Sequence, residues 1–292
     1  MNERETEAGY EPNCAEELDA SIVRYELYPL GEQAIVIRWV GNISEAMLGV
    51  VSATVRCLEH DCSSAIVEFV RAYRTVTVYY DPAELYVNKA DYHNKGKINA
   101  KSTLGSREQE DDVSPYEILC AWIRSRLNML GDPLLITNAL EHQEVRIVPV
   151  CFDMEFGPDL QMLAEQAGLS VQEAIALYCS ATYVVHMVGF THGFPYMGGL
   201  SERLAMPRRS QPRAHVPQGT VGIAGTQTGI YPIASPGGWQ LIGRTPLRLF
   251  NPMKEKPSLF QAGDRIRFEP ISLMEFAVLA NEASVDNESM ES

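Results

Sequence analysis

Lysine is absent from Ser102 through Met253, and between Glu173 and Glu255 the only acid is Glu202. A segment with that composition excludes Schiff-base chemistry and lysine-assisted phosphate transfer. It equally excludes a paired-carboxylate centre or a carboxylate-bound metal built from the segment alone. No GxxxxGK[ST] loop, GxSxG elbow or HExxH helix occurs anywhere in the chain. Apolar runs stay well below the roughly eighteen residues of a membrane span. The nearest, YVVHMVGF at 183–190, is short and interrupted by His186. The cysteines Cys14, Cys57, Cys62, Cys120, Cys151 and Cys179 are scattered and form no CxxC pair. They read as reduced thiols rather than a disulfide framework or zinc site. MNERETEAGYEPNCAEELDA lacks the apolar region of a secretory signal, so a cytoplasmic protein is expected.

What the chain does contain is unevenly distributed. Its 292 residues, 46% hydrophobic, suit two globular domains, and the net charge is −14. Residues 1–20 hold seven acids against Arg4, and residues 281–292 hold four acids and no base. The ends therefore read as acidic, solvated tails, assigned to 1–20 and 276–292. Residues 201–250 run the other way, with Arg203, Arg208, Arg209, Arg213, Arg244 and Arg248 against Glu202. Six arginines without lysine in an acidic protein argue against nucleic acid as the partner.

Periodicity divides the chain. SIVRYELYPL and QAIVIRWV alternate as strands, and SEAMLGVVSATVRCLEH has helical spacing with Ser44 as cap. SAIVEFVRAY and RTVTVYYDP read as two further strands. SPYEILCAWIRSRLNML opens with a Ser114/Glu117 capping box and proline at the first helical position. A small α+β sandwich over 21–150 follows, closing with the strand EVRIVPVCF. The polar stretch 88–113 reads as a disordered insertion. Two short helices, GPDLQMLAEQAG and LSVQEAIALYC, the second with a Ser170/Glu173 box, then lead into glycine-punctuated β-prone runs. Residues 151–275 are thus expected to form a β-barrel.

Several stretches of the second half carry candidate chemistry. GFTHGFPYMGGL (189–200) is too rich in glycine for an element and too apolar for an ordinary loop. PRRSQPRAHVP (207–217) sets Arg208, Arg209 and Arg213 on a proline-stiffened backbone, either aimed at an anion or solvated along a surface strand. The glycines of GTVGIAGTQTGIYP (219–232) serve either barrel corners or the approach of backbone N–H groups to a ligand. Trp239 in SPGGWQLIGRTP is a stacking surface or a core plug, and His192 a general base or a structural polar residue.

Together these stretches resemble a known family. GPDL, GFTHGFPYMGGL, PRRSQPR, the run VPQGTVGIAGTQTGIYPIASPGGWQLIGRTPLRLF and GDRIRF, in this order, are similar to the B-type subunit of bacterial 5-oxoprolinase. That family also takes in the kinase inhibitor KipI and the allophanate hydrolase subunit 1 type of carboxyltransferase domain, subdomains C and D. The resemblance is dense over 144–271, looser over 21–82, and does not reach the tails or the insertion. It implies an α+β fold class, a small N-terminal α+β sandwich followed by a cyclophilin-like β-barrel. It also implies a second carboxyltransferase-type subunit and a third 5-oxoprolinase subunit, with ATP as cosubstrate of the complex; the residues themselves lead to the expectation of no metal site in this chain. The expected activity is ATP-dependent hydrolysis of 5-oxo-L-proline to L-glutamate, with this chain inactive alone. The alternatives are half of a biotin-dependent carboxyltransferase and a KipI-like inhibitor of a histidine kinase. Catalytic candidates are His192, Tyr196, Arg208, Arg209 and Arg213; substrate-binding candidates are Gln227, Thr228, Tyr231 and Arg244. The chain departs from the family at His192 and Met197, where proline and leucine are usual, at Tyr178, where histidine is common, and at Phe152, Asp153 and Met154.

Overall fold

The structure, a computed structural model, describes residues 24–60, 62–89, 92, 113–129 and 144–288. The acidic segment 1–20 and most of the 88–113 insertion lie outside the described residues. An exception within the insertion is Tyr92, which is buried with its ring edge against Trp122 at 5.9 Å and so belongs to the core rather than to a solvated linker.

The first half begins with β1 (Tyr25–Pro29), β2 (Ala34–Trp39) and α1 (Glu45–Glu59). Ser44 caps α1 by accepting from the Met47 N–H at 3.1 Å. β3 (Ile66–Ala72) and β4 (Thr75–Tyr80) follow, joined by the two-residue tip Tyr73–Arg74. Next comes a short helix that periodicity did not reveal, α2 (Pro82–Val87). Its signal was the Asp81–Pro82 pair: the Asp81 carboxylate accepts from the Ala83 and Glu84 N–H groups. α3 (Pro115–Met129) carries the expected capping box, with Glu117 accepting from the Ser114 N–H at 2.9 Å. The four strands form an antiparallel sheet in the order β1-β2-β4-β3. Ile35, Ile37, Val76 and Val78 on one of its faces share a buried core with Val51, Leu58, Leu119 and Trp122 of α1 and α3.

β5 (Val145–Cys151) does not close this sandwich. It pairs in parallel with β13 (Arg265–Ile271) over seven residues, so the boundary expected near 150 falls before residue 145. Nothing in β5's own pattern distinguishes the two sheets, because its partner lies more than a hundred residues downstream. After β5 come α4 (Leu160–Ala167), α5 (Val171–Ser180), β6 (Tyr183–Val188), β7 (Pro195–Gly198) and β8 (Arg213–Val216). β9 (Thr220–Ala224), β10 (Gln227–Ile230), β11 (Ser235–Gly237) and β12 (Gln240–Arg244) lead to β13. Seven strands close a barrel in the order β10-β7-β6-β13-β5-β12-β9, while β8 and β11 form a separate ribbon. The fold is thus α+β, an N-terminal sandwich followed by a β-barrel.

Alternation along the strands gives the barrel two apolar faces. Val185, Met197, Val221, Ile223, Ile230 and Ile242 fill its interior. Phe194, Ala224, Tyr231, Trp239 and Leu241 form a second cluster on the outside of β7, β9, β10 and β12, with Tyr196 packed against it. The segment expected as an acidic tail from 276 is helical as far as Glu288, in α6 (Leu273–Glu288). Its overlooked signal was a third capping box, in which Glu275 accepts from the Ser272 N–H at 2.7 Å. Phe276 packs on Phe156 at 4.6 Å between ring centroids and fixes α6 to the barrel.

One of the tightest backbone approaches lies at Gly157, where any Cβ would overlap the main-chain carbonyl of Ile242. Gly157→Ala should therefore lower the urea midpoint by the equivalent of about 2–3 kcal/mol without changing the slope. An unchanged midpoint would show that this approach is not tight in solution.

Candidate functional site

Gly157 begins GPDL, and the residue that this approach positions is Asp159. Asp159 stands at the N-cap of α4 but makes no side-chain cap. Its carboxylate is turned inward instead. Oδ1 accepts from Arg213 Nη2 at 2.8 Å and from Arg209 Nη1 at 3.2 Å, while Oδ2 accepts from the Leu241 N–H at 2.7 Å. The Asp159 N–H donates in turn to the Leu241 carbonyl at 3.0 Å. One buried carboxylate thus ties α4, the 207–213 segment and β12 together. Two of the three candidate anion-binding arginines are held by this carboxylate, while Arg209 Nε and Arg213 Nη1 are buried with no hydrogen-bond partner.

Arg208 is the exception. It is exposed, its guanidinium carbon lies 6.0 Å from the centre of the Trp239 ring, and no ion pair to it is found among the described residues. Around Trp239 stand Phe194 at 5.3 Å and Tyr196 at 5.7 Å, with Phe194 also 5.3 Å from Tyr231. Glycines make room for this aromatic face. A Cβ on Gly229 would come within 2.6 Å of Phe194 Cε1, and one on Gly198 would overlap the His186 ring. Within 219–232 the corner reading holds for Gly219 and Gly225, whose positive φ turns the chain at either end of β9, whereas Gly229 is a seat for a ring.

A residue that sequence reasoning missed joins this face from the other domain. Tyr73, at the β3–β4 tip, has φ of +29°, a conformation that non-glycine residues rarely adopt and that concentrates at functional positions. Its ring lies 6.1 Å from His186 and 6.2 Å from Tyr196, and its hydroxyl accepts from Gln227 Nε2 at 2.8 Å. Desolvation pushes the Tyr73 hydroxyl up to about 12, with opposing contributions from the Gln227 hydrogen bond and the Arg208 charge. It is a neutral donor at physiological pH. Tyr196 and Tyr231 are raised by the same cause, again opposed by Arg208. Buried His186, whose Nδ1 has no partner, is held below its ordinary value by desolvation, with Glu45 pulling upward. The Arg265–Glu45 ion pair crosses between the domains nearby.

The remaining candidates separate. Thr228 is fully buried inside the barrel. Its hydroxyl donates to the Gly222 carbonyl at 2.9 Å, so the Tyr178 hydroxyl at 2.7 Å must be the donor to it. Tyr178, where the family commonly has histidine, stacks on Phe268 at 4.9 Å and belongs to the same interior. Arg244 donates to the Gln218 carbonyl at 2.7 Å and covers Phe156 and Phe276, away from the aromatic face. His192 is exposed on the β6–β7 loop, 5.3 Å from the Phe250 ring. Tyr196, Tyr231, Gln227 and Arg208 are thus brought together, with Tyr73, Phe194 and Trp239 completing the group. Among the described residues no three His, Cys, Asp or Glu side chains are placed to hold a metal ion.

Sequence and fold agree on the class. Residues 25–260 match the family described as carboxyltransferase domain, subdomain C and D, and the chain belongs to it. It is 37% identical to the B-type subunit of 5-oxoprolinase from Bacillus subtilis strain 168 over 262 residues, covering 90% of this chain and 99% of that one. Over 135 residues, 46% of this chain and 62% of the other, it is 51% identical to the corresponding 5-oxoprolinase subunit of Escherichia coli O157:H7. The fold is shared with Kluyveromyces lactis urea carboxylase at a TM-score of 0.66 and 18% identity, covering 91% of this chain and 23% of that protein.

Asp159→Asn should destabilise the protein by about 3–5 kcal/mol, since it leaves two guanidinium groups beside a neutral amide. Calorimetric unfolding checks this, and a loss below about 1 kcal/mol would contradict the assigned role. The depressed His186 sets a pH dependence. The folded protein resists the proton that the unfolded chain takes up near pH 6.5, so this contribution is full above that pH and is lost as the pH falls toward the folded value. His186→Gln should flatten the decline in unfolding free energy between about pH 7 and 5. Coincident profiles for the two proteins would remove His186 as its source.

Proposed function

We propose that this protein is the B-type subunit of an ATP-dependent 5-oxoprolinase, acting in the cytoplasm with a second carboxyltransferase-type subunit and a third subunit. The observation that carries this reading is the match to the B-type subunit of a 5-oxoprolinase over 99% of that protein's length. The geometry fits a shared active site. The aromatic face offers one free guanidinium, neutral phenols and a glutamine, groups that bind and orient a polar substrate. It offers no lysine and no carboxylate to activate water or steady ATP, and those groups would come from the partner subunits. The reaction is phosphorylation of the lactam oxygen by ATP, ring opening by water and release of phosphate. Arginine and phenol donors suit the negative charge that develops along this path. A second reading, half of a biotin-dependent carboxyltransferase, is favoured by the family match itself and by 30% identity over 130 residues to a putative urea carboxylase of Emericella nidulans.

Assembly with the partner subunits should give ATP hydrolysis that depends on 5-oxo-L-proline, and the purified chain alone should give none. Turnover by the isolated chain would defeat the shared-site reading. Activity that requires bicarbonate and is abolished by avidin would favour the carboxyltransferase instead.

A further inference from the structure

His186 is buried where the two domains meet, and the local chain is built to put it there. It is the extra residue of a β-bulge in β6, where the register against β7 shifts between Val185 and Met187. A bulge re-aims a side chain. This one turns His186 toward the first domain and over Gly198, whose missing Cβ leaves room for the ring. α1 and β3 of the first domain pack against β6, and the Tyr73 ring at the β3–β4 tip lies 6.1 Å from the imidazole.

The groups around the imidazole decide what a proton would do there. α1 brings Glu45, whose carboxylate is already engaged by Arg265 of β13. The tip brings Tyr73, with Tyr196 of β7 behind it, and both are neutral phenols at ordinary pH. Arg71 of β3, Arg74 of the tip and Arg208 beyond Tyr73 are cations that oppose further positive charge. Nδ1 of His186 has no hydrogen-bond partner. A neutral imidazole tolerates this seat with Nδ1 unprotonated. An imidazolium donates from both nitrogens, so its Nδ1–H would be buried without an acceptor. The Tyr73 ring stands at the far limit of useful cation–π attraction. Only Glu45 pulls the other way, and burial outweighs it.

What covers the seat is strained. Tyr73 is kept at φ +29° by its hydrogen bond to Gln227 at 2.8 Å and by the Tyr196 ring. Lifting the tip relaxes that backbone and gives an imidazolium water, so a proton discriminates between closed and lifted states. We propose that the domain junction is a pH-sensitive switch, in which neutral His186 keeps the Tyr73 tip closed on the barrel and protonated His186 releases it. The face shared by Tyr73, Tyr196 and Gln227 is then assembled only while His186 is uncharged. The switch is independent of the reaction that the complex carries out.

Hydrogen exchange of the full chain, each rate divided by its intrinsic value at that pH, measures the lifting. The closed state resists a proton that the lifted state takes up near pH 6.5. Lifting is therefore constant above about pH 7 and grows by up to about tenfold per pH unit below about 6.5, until the closed state also protonates. Between about pH 7 and about pH 5.5 the tip peptide 71–77 should lose about tenfold in protection, while peptides from β2 and β9 keep theirs. His186→Gln should leave the tip's protection constant across this range. Should that variant not fold, the unsubstituted chain still decides. A loss confined to the tip that sets in near pH 6.5 supports the switch. Constant protection, or a loss that begins only below about pH 4.5 where carboxylates titrate, would overturn it. Equal losses in the tip, β2 and β9 would overturn it as well, because the transition would then be global unfolding.

Discussion

A single buried carboxylate organises the barrel's outer half. Asp159 accepts three hydrogen bonds, from Arg209, Arg213 and the Leu241 N–H, and donates a fourth from its own backbone. Burying an ionised group is costly unless its partners are complete, so such a cluster is a source of order more than of net stability. Here the order is positional. With Arg209 and Arg213 pinned, the 207–213 segment can run in one way across the barrel, and the one remaining guanidinium, Arg208, is left over Trp239. Where the site's charge sits is decided by a residue that belongs to another element.

The second constraint is steric. Rings cannot lie flat on a pleated sheet whose outward positions carry side chains, so the face needs gaps at chosen registers. Gly229 provides one beneath Phe194, and Gly198 another beneath His186. The odd composition of GFTHGFPYMGGL follows. Its aromatic residues supply the rings, its glycines the space for neighbours, and the left-handed Gly193 and Gly199 the turns at either end of β7.

Much of this was legible in the sequence. Capping boxes at Ser114 and Ser170 marked the starts of α3 and α5, and alternation marked most strands. Density of glycine and proline pointed to the barrel. What escaped depended on information that local patterns do not hold. β5 looks alike whether it joins the sandwich or the barrel, and only β13 decides. The arginines of PRRSQPR read as a basic patch because Asp159, the acid that pairs with two of them, lies some fifty residues earlier in a helix start. Tyr73 sits in a two-residue hairpin tip, and its importance comes from contacts with Gln227, His186 and Tyr196 that are brought to it by the packing of one domain on the other. The helix α6, by contrast, has a local start signal in Ser272 and Glu275, which the acidity of the segment masks.

The parallel pairing of β5 with β13 also orders events during synthesis. The sandwich's strands are joined by connections within the first eighty residues and can pair as soon as they are made. The barrel cannot close until Ile271 has left the ribosome, because its first strand waits for its last. Until then β5 keeps an open edge, and the aromatic residues of β7 and the Trp239 turn have no finished sheet to lie on. Between the synthesis of Cys151 and that of Ile271 a nascent chain therefore has every element of its first domain made while the first strand of the barrel still lacks its parallel partner.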